Sequence, residues 1–217
     1  MGSIRATTII VAVLALGLGA TSALAVCSTS LPTSTYSHSP SPTNWSDNLI
    51  TIPKYDGSSG QLCMVVVRLS ASLEAQVQAT NTGASQATLT ATMNVNANIT
   101  APSPITSFTA TPIASMQTLT VPVGGATTFQ AGPFPSSQNQ SFTMPADLAA
   151  FNGPGALIFS LAATGSFTFT TSTGNADVTG MTTAGAEIDV TYWVPEPGSL
   201  SLLALGSIAI LHRRRRR

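Results

Sequence analysis

Between residues 26 and 193 the side chains able to do acid, base or metal chemistry are few: His38 and seven carboxylates, Asp47, Asp56, Glu74, Asp147, Asp177, Glu187 and Asp189. A hydrolytic triad needs a histidine held between a hydroxyl and a carboxylate. His38 lies in a Ser/Pro stretch that predicts a mobile segment, a poor base for such a device. A glycosidase needs two carboxyl groups facing one bond. Glu187 and Asp189 instead share one strand face, and Asp47, Asp56 and Asp177 stand among turn residues, so solvated charges and turn formers are the expected roles. Asp56 with Gly57, or Asn175 with Asp177, offers oxygens to a calcium ion, but neither has EF-hand spacing. Two cysteines with distant histidines make no zinc site. The expectation is no catalytic residue, no metal and no cofactor, hence not an enzyme.

Cys27 and Cys63 are the chain's two cysteines. In an oxidising exported compartment an even pair predicts one disulfide, worth about 3 to 4 kcal/mol by loop-closure reasoning. The alternative is that Cys63 is a small buried hydrophobe and Cys27 belongs to a loose arm. Charge is segregated along the chain. Arg5 lies in the first segment and Arg213 to Arg217 at the end, which leaves Lys54 and Arg68 against the seven acids and a net charge of −5 for residues 26 to 193. That balance excludes nucleic acid as a partner, and favours a basic partner or a cation over an anionic polymer held by charge.

The two ends read as addresses. Arg5 supplies a positive n-region, Ile9 to Leu18 an apolar core, and Ala23-Leu24-Ala25 a small-x-small cleavage site, so residues 1–25 predict a signal peptide cut by signal peptidase after Ala25. A lipobox needs a small residue before the cysteine, and Val26 is branched. At the other end, Val194, Pro195, Glu196 and Pro197 precede an apolar run from Leu200 to Leu211, His212, and then Arg213, Arg214, Arg215, Arg216 and Arg217. The stretch from Gly198 to Leu211, at about 1.5 Å per residue, is ~21 Å long against a hydrocarbon core of ~30 Å. It predicts a short transmembrane helix that serves as a transient membrane anchor, with the arginines as a cytoplasmic stop-transfer plug whose stems extend the span.

This tail, residues 194–217, resembles the PEP-CTERM sorting signal, also known under an ice-binding-protein C-terminal label, of exopolysaccharide-producing Gram-negative bacteria. The resemblance implies that the chain is a substrate of an exosortase, a membrane cysteine transpeptidase that cuts near Pro195-Glu196-Pro197. It implies an inner-membrane precursor and then a cell-surface or extracellular-matrix protein.

The middle of the chain alternates. From Cys63 to Ala79 the odd positions are apolar and the even ones mostly polar, and the same holds from Ala87 to Ile99. Period two means strands with one buried face. With Asn81-Thr82-Gly83 between them, the two segments predict a long antiparallel hairpin. Residues 26–48, rich in Ser, Thr and Pro, predict an irregular lead-in, followed by a short strand at Leu49 to Ile52. Further strands are expected at Met116–Val123, Thr127–Ala131, Ser141–Met144, Leu157–Thr164, Phe167–Thr173 and Ala186–Tyr192, with one helical turn from Pro145 to Phe151. Residues 49–193 therefore predict an all-β fold, an antiparallel β-sandwich. Thr88, Thr90 and Thr92 on one strand, with Thr168 and Thr170 on another, have the Thr-x-Thr spacing that ice-binding surfaces use, though Thr is also at home on any exposed strand.

Pro53-Lys54-Tyr55-Asp56 with Gly60-Gln61-Leu62, Thr80-Asn81-Thr82, the Asp147 to Gly155 segment and Val190-Thr191-Tyr192 resemble the choice-of-anchor E domain, a set of exported domains with no established activity. The resemblance implies a fold class and a location. The expected function is a noncatalytic surface or matrix protein linked to exopolysaccharide or biofilm, with extracellular polysaccharide as a partner; the alternative is a carbohydrate- or ice-binding adhesion module.

Overall fold

The computed structural model describes residues 27–173 and 175–195, and Ser30–Val194 form one compact unit. The expected signal peptide, apolar helix and arginine plug lie outside the described residues, as do Glu196 and Pro197. Among the described residues, no helix is long and apolar enough to cross a membrane.

Among the described residues, ten strands and one short helix follow in chain order: β1 Cys27–Ser30, β2 Ser34–Pro42, β3 Trp45–Pro53, β4 Met64–Asn81, β5 Ala87–Thr100, β6 Phe108–Ala110, β7 Ile113–Val121, β8 Ala126–Phe142, α1 Pro145–Phe151, β9 Ala156–Thr173 and β10 Ala176–Pro195. They make two five-stranded sheets. Sheet A has the order β1-β10-β4-β8, with β2 also paired to β10; sheet B has the order β3-β9-β5-β6, with β7 also paired to β5. The ladders of β4 with β8 and β10, and of β5 with β6, β7 and β9, are antiparallel.

The alternating residues supply the core. Val65, Val67, Leu69, Leu73 and Val77 of β4, and Leu89, Met93, Val95 and Ile99 of β5, are fully buried. At roughly 1.5 to 3 kcal/mol for each large apolar side chain taken out of water, these rows dominate the favourable side of folding. α1 closes one end, with Pro145 in its first turn and Leu148 and Phe151 buried.

The expected β4–β5 hairpin does not form. β4 pairs with β8 and β10, while β5 pairs with β9, β6 and β7, so the two strands belong to opposite sheets and face each other across the core. Period two says that one face is buried and is silent on which neighbour lies edge to edge. Asn81, 2% exposed, makes the crossover. Its Nδ2 donates to Ser85 O (2.8 Å) and Val121 O (3.1 Å), and its Oδ1 accepts from Gly83 N (2.9 Å), so the chain leaves one ladder with its polar groups satisfied.

The expected irregular lead-in is also wrong in structure: it forms β1, β2 and the start of β3. Its signal was hidden because β2 lies beside β10 with half-buried residues on its inner side, and its prolines sit where a lost amide costs least. Two expected strand pairs each prove to be one strand. Gly165 does not break β9; a side chain there would collide with the hydroxyls of Thr43 and Thr182, so glycine permits a close approach. Pro133 and Pro135 do not break β8, which is an outer strand of sheet A.

Candidate functional sites

The first site is a polar corner where β2 of sheet A meets β3 of sheet B. Between Ala184 and Ala186 the β10–β2 register shifts, with Ser41 opposite Ala184 and His38 opposite Ala186. The extra β2 residue turns Ser41 onto the face of His38, the re-aiming that bulges perform. A second shift, between Asp47 and Ile50, lets Asp47 and Trp45 point the same way as Ile50 and Ile52, and Leu49 takes φ 62° to achieve it.

His38 is thus positioned, contrary to the mobile segment expected. Its ring stacks on Trp45 with centroids 3.7 Å apart and planes 15° from parallel. Nδ1 lies 2.6 Å from Asp47 Oδ2, and Nε2 lies 2.9 Å from Ser41 Oγ. Tyr36 donates its hydroxyl to the same Asp47 oxygen at 2.6 Å, and Trp45 Nε1 donates to Ala184 O at 3.1 Å. The Tyr36 hydrogen bond, and then His38, hold the Asp47 carboxyl below the ordinary carboxylate range, and the same bond raises Tyr36. The connectivity is Ser–His–Asp, yet one Asp47 oxygen serves both Tyr36 and His38, and Tyr36, His38, Trp45 and Asp47 make contacts that bridge the two sheets, whereas the Ser41 bond stays within β2. Its evident work is to tie β2 to β3.

The other carboxylates are dispersed. Asp56 accepts Ser58 N at 2.8 Å and is lowered by Ser58, the role of a turn former. Asp189 accepts the Thr35 hydroxyl at 2.7 Å. Glu187 is raised, first by burial and then by Asp189. Among the described residues, no three His, Cys, Asp or Glu side chains converge to hold a metal ion. Cys27 and Cys63 are both disulfide-bonded.

The threonines come together. Thr90 stands opposite Thr170 and Thr118, Thr92 opposite Thr168, and Thr88 opposite Thr120, so hydroxyls run across β7, β5 and β9 on the outer face of sheet B.

The outer face of sheet A carries a groove that sequence reasoning missed. β8 places Gly132 and Pro133 opposite the single residue Glu74, and bends there. Gly132 has φ 122°, and a Cβ on it would lie 2.7 Å from Leu73 O, so no other residue fits. Beyond the bend, a hollow of about 400 Å³ is lined by Glu74, Gln76, Gln130, Met181 and Thr183. A second, of about 280 Å³, continues along the same strands past Ser70, Ser72, Pro135, Gly185 and Glu187. The only sequence signal was a pair of glycines, Gly132 and Gly185, inside otherwise strand-like runs.

The last site is the end of β10. Tyr192 is buried, donates its hydroxyl to Pro53 O at 2.8 Å, and is pushed up to about 12 by burial. Cys63 N donates to Trp193 O at 3.0 Å. Val194, the first residue of the sorting sequence, is 2% exposed and packs in the core, and Pro195 is the last strand residue. The first two residues of the sorting sequence, Val194 and Pro195, thus finish the last strand.

Residues 194–217 match the PEP-CTERM protein-sorting motif. The motif implies an exported protein sorted by an exosortase, with a membrane-associated precursor. No curated protein matches the chain. Among solved structures, the chain is remotely similar to one described as the structure of infectious bursal disease virus Gx strain, at 13% identity and a TM-score of 0.20, covering 88% of this chain and 52% of that one. A second, from the Gt strain of the same virus, gives 9% identity and a TM-score of 0.12, covering 78% and 42%. The chain thus spans about half the length of these solved chains or less.

Proposed function

We propose that this chain is a noncatalytic protein of the cell surface or extracellular matrix of a Gram-negative bacterium, held in the inner membrane by residues 198–211 until an exosortase removes its tail. One observation carries the reading: the sorting motif begins at a buried core residue, Val194, so the folded domain runs directly into the sorting signal with no linker between. Cutting on the N-terminal side of Val194 would strip a core side chain, whereas cutting beyond Pro195 leaves β10 whole. Moving five guanidinium groups through hydrocarbon is prohibitive, which keeps Arg213–Arg217 cytoplasmic and the acidic domain outside. A choice-of-anchor E type domain delivered to an exopolysaccharide-based biofilm fits this route. Mass spectrometry of surface and medium fractions should find a chain that begins near Val26, after the Ala23-Leu24-Ala25 site, and ends between Pro195 and Pro197. External protein that still carries the arginine tail, or that ends before Val194, contradicts it.

A second reading, a carbohydrate- or ice-binding adhesion module, draws on the sheet A groove and the sheet B threonines. Ice shaping by the purified chain, lost in Thr90→Ala, would favour the ice arm. The noncatalytic reading has its own test in the Ser41–His38–Asp47 corner. Hydrolysis of p-nitrophenyl esters that Ser41→Ala abolishes, with the fold retained, would make the protein an enzyme.

A further inference from the structure

The groove on the outer face of sheet A, on which the carbohydrate-binding reading draws, carries more detail in its lining. Its floor is made by small residues: Ser70 and Ser72 of β4 stand opposite Glu187 and Gly185 of β10. A Cβ on Gly185 would lie 3.1 Å from Ser72 Oγ and 3.2 Å from Pro40 Cγ, so even one added methyl would press on the floor. Ser70 lines this floor beside Ser72. Further along, Glu74 stands opposite Thr183, and Gln76 opposite both Met181 and Gln130.

We propose that this groove binds a neutral polysaccharide chain laid along β4 and β10. The lining chemistry selects that class. A carboxylate offers two acceptor oxygens to the paired hydroxyls of a sugar ring, and carboxamides offer a donor and an acceptor side by side. Met181 and Pro135 give apolar surface to the C–H face of a ring. The hollows follow one another in the strand direction, which suits an extended chain better than a compact ligand. Acidic polymers are disfavoured, because Glu74 and Glu187 line the groove and the domain carries net negative charge. This inference deepens the carbohydrate-binding reading above and is independent of tail processing.

The test is affinity electrophoresis of the full chain in nonionic detergent, in gels cast with hydroxyethyl cellulose or with alginate. Hydroxyethyl cellulose should retard the wild type, and alginate should not. The double substitution Glu74→Ala with Gln130→Ala, at exposed positions, should weaken retardation about tenfold, the scale of one or two lost hydrogen bonds. Ser72→Leu, which fills the floor, should do the same, with circular dichroism reporting an unchanged fold for each variant. Thr90→Ala with Thr170→Ala on sheet B should leave retardation unchanged. Retardation by neither polymer overturns the groove and the carbohydrate reading together. Retardation lost in the sheet B variant but kept in both groove variants overturns the groove alone, and retardation by alginate equal to that by hydroxyethyl cellulose overturns the neutral-ligand assignment.

Discussion

On the outer face of sheet A, β4 and β10 display Arg68, Glu74, Asp177, Glu187 and Asp189, whereas the outward rows of sheet B, Thr88 to Thr100 on β5 and Ser160 to Thr170 on β9, hold no charge. The ladders beneath these two outer rows differ as well. Between Leu89 and Thr100 the β5–β9 ladder runs without a register shift, while sheet A bends at Glu74 and again beside Gly185. The inner faces of the two sheets are nearly interchangeable in chemistry. Core packing therefore leaves the outer chemistry free: both sheets carry register shifts, and sheet A is the one whose shifts lie beside charges and a groove.

The comparison can be broken most forcefully from inside. Leu69→Ala in sheet A and Leu89→Ala in sheet B, both fully buried, should each cost about 2 to 5 kcal/mol in denaturant unfolding. A loss confined to one sheet would mean that the inner faces are not equivalent. Next in size, Cys63→Ser should cost about 2 to 4 kcal/mol. Thiol labelling of the unreduced wild type should modify neither cysteine.

The polar corner joins the two sheets, and Asp47→Asn tests how much that tie contributes. Loss of the charged acceptor for Tyr36 and His38 should cost about 1 to 3 kcal/mol at neutral pH. The sign with pH follows from the depressed Asp47 value. Its contribution is complete above the ordinary carboxylate range and is lost as pH falls through the lower folded value, so the variant should approach the wild type in acid. The smallest effect belongs to sheet A's surface. Glu187 is raised in the fold above its ordinary 4.5, so its ionised form is disfavoured there. Glu187→Gln should raise stability at neutral pH by about a few tenths of a kcal/mol. That difference should vanish below pH 4.5, where the wild-type side chain is neutral in both states.

What could be seen in the sequence was whatever depends on neighbours two residues apart. The buried rows of β4 and β5, the helical turn at Pro145–Phe151 and the all-β class are of this kind, because alternation reports burial directly. What could not be seen depends on partners far along the chain. Asn81 has the composition of a hairpin turn and makes an inter-sheet crossover, and only its bond to Val121 O distinguishes the two. His38 seemed idle because Asp47 and Trp45 reach it through two bulges that leave no periodic trace. The groove was invisible for the same reason: Gly132 and Glu74 become neighbours only once β8 lies beside β4.

β10 is the last strand to emerge in synthesis, yet it occupies the interior of sheet A, with β1 and β2 along one side and β4 along the other. Partners such as Tyr36 and Ile188 are joined across most of the domain's length. Sheet B has no such dependence, since β3, β5, β6, β7 and β9 are all available before β10 appears. Pairings this distant in sequence form slowly. The domain must therefore wait, half assembled, with the edge of β4 exposed until residues up to Pro195 are free to insert. Maturation of the fold is timed by the arrival of the segment that also begins the sorting signal.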